Sequence, residues 1–225
     1  MHSNLFTSSP SVQSSRILYT PSPFARSSLL HLQEVGSLSA IRPHTSKREK
    51  LQSYLCFMVE DGEGELVYEG KKYELRSGDV VFIDCRKAYS HSTGMNPNAG
   101  LWSLRWCHFY GPSMPAIYAK YCERGGLPVI RGADVSVDLA RGADMGRRDD
   151  VSCGADVSQY AAILTDIYTL ASSSDYIRDM RINGKLNDLL TLLMESSWHQ
   201  GNSSNAPKKM DISIVKSFLD EHYSE

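Results

Sequence analysis

The chain lacks most of the signatures by which a reactive site is recognised. No HxH pair, HExxH, GxSxG or Walker A sequence occurs in its 225 residues. The common spacings for a metal-activated water, a serine nucleophile or a phosphate cradle are therefore missing. Five cysteines (Cys56, Cys85, Cys107, Cys122 and Cys153) make no CxxC and no zinc spacing. That usage fits free, mostly buried thiols in a reducing cytosol. No apolar run reaches the roughly 18 residues that a membrane-spanning helix needs. The N-terminus has no basic segment followed by an apolar one, so it does not read as a secretory signal. Basic excess is missing too. Lys and Arg number 24 against 26 Asp and Glu, a net charge of -2, whereas a nucleic-acid-binding domain is usually basic.

What is present is a dense run of short strand signals between Tyr54 and Gly111. Tyr54–Glu60 is rich in apolar and β-favouring residues, and Asp61-Gly62-Glu63-Gly64 bends the chain. Leu66–Tyr68 and Lys72–Leu75 flank Glu69-Gly70, a compact hairpin signal, since glycine takes a positive φ at no steric cost. Arg76-Ser77-Gly78-Asp79 turns into Val80–Asp84, and Leu101–Phe109 alternates. Many short strands at regular spacing predict an antiparallel barrel or sandwich. Along Leu101–Phe109 the alternation puts Trp102, Leu104, Trp106 and His108 on one face, and Ser103, Arg105, Cys107 and Phe109 on the other.

Three groups of residues carry a family resemblance. They are Gly62-x-Gly64; Tyr68-x-Gly70-Lys71-x-Tyr73-x-Leu75-x-x-Gly78-Asp79-Val80-Val81-Phe82-Ile83; and Leu101-Trp102-x-Leu104-x-Trp106-x-His108-Phe109-x-Gly111. In order and spacing this stretch resembles the cupin-type effector domain of AraC/XylS-type transcriptional regulators. The resemblance implies a mainly β fold with C-terminal α structure. A cupin-like double-stranded β-helix (jelly-roll) barrel is followed by helices that pack on it and dimerise.

The flanks complete a domain plan. Residues 1–16 are polar and serine-rich, a flexible arm with little apolar area to offset ordering. Residues 17–130 are the cupin-like barrel region. Ile17–Phe24, with Pro21 and Pro23, is an extended lead-in. Ser28–Val35 reads as strand or helix on its residues, and the resemblance implies a first barrel strand; Gly36–Ser46 is a second short segment or loop. Lys47-Arg48-Glu49-Lys50 is a solvated charge cluster. Pro115–Cys122 is a short helix stopped by Gly125-Gly126, and Leu127–Ile130 a further strand. Residues 131–154, with three GAD triplets, form a long loop. Residues 155–200 hold two helices. Tyr160, Ile163, Leu164, Ile167 and Ala171 share a face of the first, and Ile182, Leu186, Leu189, Leu190, Leu193 and Met194 mark the second. Residues 201–209 are a polar linker. Residues 210–225 resemble the first helix of the family's helix-turn-helix DNA-binding domain, which reads as truncated here.

The resemblance also gives candidate sites. Related arabinose sensors use a strand tryptophan that matches Trp106, a tyrosine in the preceding loop, and an arginine that corresponds to Arg48; Tyr89 stands where many relatives have a histidine after the Gly78-Asp79 strand. The arabinose sensors' strand histidine matches Leu104 here, which argues against arabinose itself. His91 and His108 complete the ligand-binding set of Arg48, Tyr89, His91, Trp106 and His108. Leu186, Leu189, Leu190, Leu193 and Met194 are the dimerisation set. The expected function is ligand sensing and dimerisation for a cytoplasmic AraC-type regulator. Its partners are a small carbohydrate effector, a second copy, and DNA only through the missing domain, with no membrane, no catalytic residue, no metal and no cofactor. The alternative is a metal-dependent cupin enzyme, an isomerase or dioxygenase. For that class the histidine-rich ligand set is missing from the sequence.

Overall fold

The computed structural model describes residues 11–94, 101–132 and 157–201, with side chains as far as Ser197. Ten strands and four helices follow in order. They are β1 (Val12–Leu18), α1 (Pro23–Ser28), β2 (His31–Ala40), β3 (Thr45–Arg48), β4 (Tyr54–Asp61), β5 (Glu63–Tyr68) and β6 (Lys71–Arg76). Then come β7 (Val80–Asp84), β8 (Tyr89–Thr93), β9 (Ser103–Tyr110), α2 (Met114–Glu123), β10 (Val129–Ile130), α3 (Val157–Ser172) and α4 (Arg178–Gly201).

The strands form two antiparallel sheets. One has six strands in the order β1-β2-β9-β4-β7-β10, the other four in the order β3-β8-β5-β6. From β2 to β9 the chain passes back and forth between them, and only the β5–β6 hairpin stays within one sheet. This winding is the cupin-like jelly roll that the sequence predicts. Its turns use the chemistry read from the sequence. Glu69 and Gly70 both take positive φ, 50° and 77°, the mirror-image turn that suits a two-residue hairpin. At Gly78-Asp79 the buried Asp79 carboxylate accepts from the Arg76 backbone N–H at 3.0 Å and from Arg131 Nη1 at 2.6 Å. The turn into β7 is thereby tied to the exit of β10.

Strand alternation divides the apolar side chains into two cores. Tyr54, Cys56 and Met58 of β4, Val80 and Phe82 of β7, and Cys107 and Phe109 of β9 leave the barrel. They pack under Tyr160, Leu164 and Ile167 of α3 and Ile182, Leu186, Leu189 and Leu193 of α4. The intervening residues Leu55, Phe57, Val59, Val81, Ile83, Trp102 and Leu104 point inward. The six-stranded sheet is thus covered by helices on one face and lines the barrel with the other.

Several expectations need correction. The arm assigned to 1–16 includes Val12–Arg16, which are ordered in β1 and paired residue by residue with Ala40–Gly36 of β2. Residues 1–10 lie outside the described residues. The lead-in at Ile17–Phe24 is the end of β1 followed by the start of α1, where Ser22 caps the helix by accepting from Ala25 N at 3.1 Å. The segment after Gly36 continues β2, and the charge cluster at Lys47-Arg48 belongs to β3. The dimerisation set is not a free face. Leu186, Leu189, Leu190 and Leu193 are buried in the chain's own helix–sheet core, with Met194 packed beside them. Covering the outer face of β4, β7 and β9 already consumes that apolar stripe. The long loop at 131–154 (beyond Gly132), the linker at 201–209 and the helix at 210–225 fall outside the described residues.

Candidate functional site

The barrel holds a half-open cavity of about 300 Å³, at the small end of the range for ligand pockets. Register explains its floor. Across the six-stranded sheet, Arg16 of β1 lies opposite Gly36 of β2, Gly36 opposite Trp106 of β9, and Trp106 opposite Phe57 of β4. On the next row Glu34 lies opposite His108, and His108 opposite Leu55. Gly36 leaves room for the indole. A Cβ placed there would stand 2.7 Å from Trp106 Cζ2 and would also collide with the Ser15 carbonyl. Trp106 therefore lies across its neighbour strand and reaches the Glu34 carboxylate, to which its Nε1 donates at 3.2 Å. Arg16 Nη2 donates to the other Glu34 oxygen at 2.8 Å. Glu34 is a buried carboxylate with both oxygens engaged.

The opposite wall comes from the four-stranded sheet. Arg48 lies opposite Tyr89, and Ser46 opposite His91, with His44 entering just before β3. The His91 ring sits 5.5 Å from Phe57 and 5.8 Å from Trp102, centroid to centroid, and stacks at 6.5 Å on Tyr89. All five residues of the sequence-derived ligand set, Arg48, Tyr89, His91, Trp106 and His108, line this one cavity, although they come from three different strands and both sheets. Trp102 faces inward too, but it is wholly buried and fills the barrel's closed end against Gly64.

Sequence reading missed Arg16, Glu34 and His44. Glu34 carried the clearest signal, as a carboxylate in the otherwise strand-like LLHLQEV. Arg16 was concealed because pairing of the N-terminal segment with β2 is a long-range choice. His44 lies in a turn with no pattern.

The electrostatics follow from burial. Desolvation pushes His91 down to about 3 and His108 down to about 4, and lowers His44. All three imidazoles are therefore neutral near pH 7, each with one donor and one acceptor nitrogen. His108 Nδ1 meets Ser53 Oγ at 3.0 Å. Ser53 is outside the cavity lining, so it orients the imidazole from behind. Cys85 lies 3.9 Å from the same Nδ1, and burial pushes its thiol up to about 12, far from a thiolate nucleophile. Several polar atoms on the wall are unused. Arg16 Nε, His44 Nδ1 and His91 Nδ1 are buried without a hydrogen-bond partner, and the Tyr89 hydroxyl has only the weak Cys85 thiol nearby. Buried polar groups are ordinarily satisfied; Trp102 Nε1, away from the cavity lining, is likewise buried without a partner. Among the described residues no three His, Cys, Asp or Glu side chains converge as a metal-ligand set, and no helix is long and apolar enough to cross a membrane.

No protein-family profile and no curated protein matches the chain. Solved structures that resemble it include KdgF from Halomonas sp., at TM-score 0.35 and 15% identity, over 48% of this chain and 87% of that one. A cupin 2 conserved barrel domain protein from Leptotrichia buccalis matches at TM-score 0.35 and 18% identity, over 46% and 42% of the two chains. The cupin_2 domain of an XRE family transcriptional regulator from Enterobacter cloacae matches at TM-score 0.34 and 12% identity, over 45% and 98%. At these identities the likeness concerns the barrel fold alone.

Proposed function

We propose that this chain is a non-catalytic sensing domain, which holds a small sugar-like molecule in its barrel as part of an AraC-type transcriptional regulator. One observation carries the reading. One half-open cavity combines an aromatic wall, Trp106, with buried polar atoms of Arg16, His44 and His91 that have no hydrogen-bond partner in the protein, and a Tyr89 hydroxyl beside the Cys85 thiol. A sugar has the matching parts, an apolar ring face to stack on the indole and hydroxyls to complete the hydrogen bonds. The sequence motifs between Gly62 and Gly111 supply the regulatory context. Two groups support the non-catalytic reading. His108 is held by a serine that does not reach the cavity, and Cys85 is held neutral.

In such a regulator the ligand biases whichever elements differ between its two states, and it must bind those states with different affinity. β1 is the natural element to respond, since Val12, Ser14 and Arg16 form one wall of the cavity and belong to an edge strand of the sheet. Self-association belongs to the same reading, through a surface other than the buried leucine stripe, and sedimentation tests it. The ligand reading is tested by a thermal-shift screen of sugars and related metabolites, repeated on Trp106→Ala. A stabilising compound whose effect disappears in the variant supports it. Stabilisation that survives unchanged in the variant counts against it.

A further inference from the structure

We infer that the guest carries an acidic group: the cavity is built for a hexose-sized sugar acid, with the carboxylate on Arg48, rather than for a neutral sugar. This deepens the reading above and rests on it. The inference follows from the charges on the wall. Two arginines and one acid line the cavity: Arg16, Arg48 and Glu34. Glu34 is already claimed, by Arg16 at 2.8 Å and by Trp106 Nε1 at 3.2 Å. Arg48 has no acidic partner among the described residues, and the three histidines are neutral near pH 7. The rim of the cavity therefore keeps one guanidinium that is not committed to an acid of the described residues.

That cation stands at the exposed rim of the cavity, where it contributes to the lining. Arg48 sits in β3 opposite Tyr89, and its charge is felt at Tyr89, His91, His108 and Cys85, all inside the barrel. A carboxylate beside it forms a charge-assisted pair, which a planar guanidinium can make with two parallel hydrogen bonds. The remaining lining sorts a sugar acid in one orientation. Trp106, Leu104 and Leu55 offer apolar area to the ring, and His44, His91 and Arg16 Nε offer hydrogen bonds to hydroxyls. A cationic guest would meet Arg48 unfavourably, while Glu34, the one acid present, is already occupied.

Calorimetric titration with two matched pairs tests this: D-galacturonate against D-galactose, and D-glucuronate against D-glucose, each on the wild type, Arg48→Gln and Arg48→Lys. The expected result is at least tenfold tighter binding of an acid than of its neutral partner. Arg48→Gln should abolish that preference by weakening the acid at least tenfold more than its neutral partner, and Arg48→Lys should restore part of it. The preference should also shrink in high salt. Equal or tighter binding of the neutral sugars, or a preference that survives Arg48→Gln, overturns the acidic guest and leaves a ligand-binding barrel standing. No binding of either member of either pair, to a folded protein at millimolar concentration, overturns both.

Discussion

At the scale of single residues the protein's interior is governed by what burial does to polar groups. His91 and His108 are held neutral by desolvation, with values near 3 and 4 against about 6.5 in an unfolded chain. Between those limits the unfolded state binds the extra protons, so acid favours unfolding. The stability due to the neutral rings is complete above about pH 6.5. It declines as pH falls toward the folded values, by at most about 1.4 kcal/mol per pH unit for each histidine. Denaturant unfolding at pH 7, 6 and 5 should show this decline, and His91→Gln with His108→Gln should flatten it. An unchanged slope in the double variant would place the acid sensitivity elsewhere. Gly36 makes a second prediction. A methyl group there meets Trp106 and the Ser15 carbonyl. Gly36→Ala should therefore cost roughly 1–3 kcal/mol in a urea titration and displace the indole from Glu34, seen as a change in tryptophan fluorescence. Legibility at this scale was uneven. Trp106 and His108 declared themselves through strand alternation, and Arg48, Tyr89 and His91 through the resemblance. Arg16 and His44 depend on tertiary pairing, which no local pattern encodes.

At the scale of elements, the helices and the first strand differ from their sequence reading for one physical reason. An apolar stripe announces that a helix will be buried but not what will bury it. Leu186, Leu189 and Leu193 of α4 answer to the outward residues of β4, β7 and β9 in the same chain. Polar groups fix the seating: Asp179 accepts from the Tyr19 hydroxyl at 2.6 Å and from Ser22 N at 3.1 Å, and Asn183 Oδ1 accepts from Leu30 N at 3.0 Å. Leu189→Ala should lower unfolding stability by roughly 2–5 kcal/mol, the usual cost of a core cavity. It should leave the self-association constant of the folded protein unchanged. A variant of normal stability with weakened association would restore α4 as the contact between copies. β1 escaped recognition because VQSSRIL offers little apolar alternation; its strand state is imposed by seven consecutive pairings with β2. β3, by contrast, is a four-residue strand of mostly exposed polar residues, which only its pairing with β8 identifies.

At the scale of the molecule, two sheets meet around a space whose walls are part aromatic, part cationic and part imidazole. An antiparallel barrel or sandwich was legible, because turn residues recur between strands, with Glu69-Gly70 setting the β5–β6 hairpin and Gly78-Asp79 the crossing from β6 to β7; its jelly-roll form came from the resemblance. The cavity was not legible, since its volume depends on which inward side chains are small and on how the sheets close. Gly36 and Ser14 supply space where larger residues would have filled it. The measurement that tests the central claim most directly is a ligand titration followed by the indole N–H resonances of ¹⁵N-labelled protein, with Trp106→Ala providing the assignment. A compound found by thermal shift should move the Trp106 signal saturably, as it disturbs the Nε1 contact with Glu34, and the same compound should fail to bind the variant. A compound that binds the folded protein with full occupancy while the Trp106 resonance stays fixed would contradict an occupant inside the barrel.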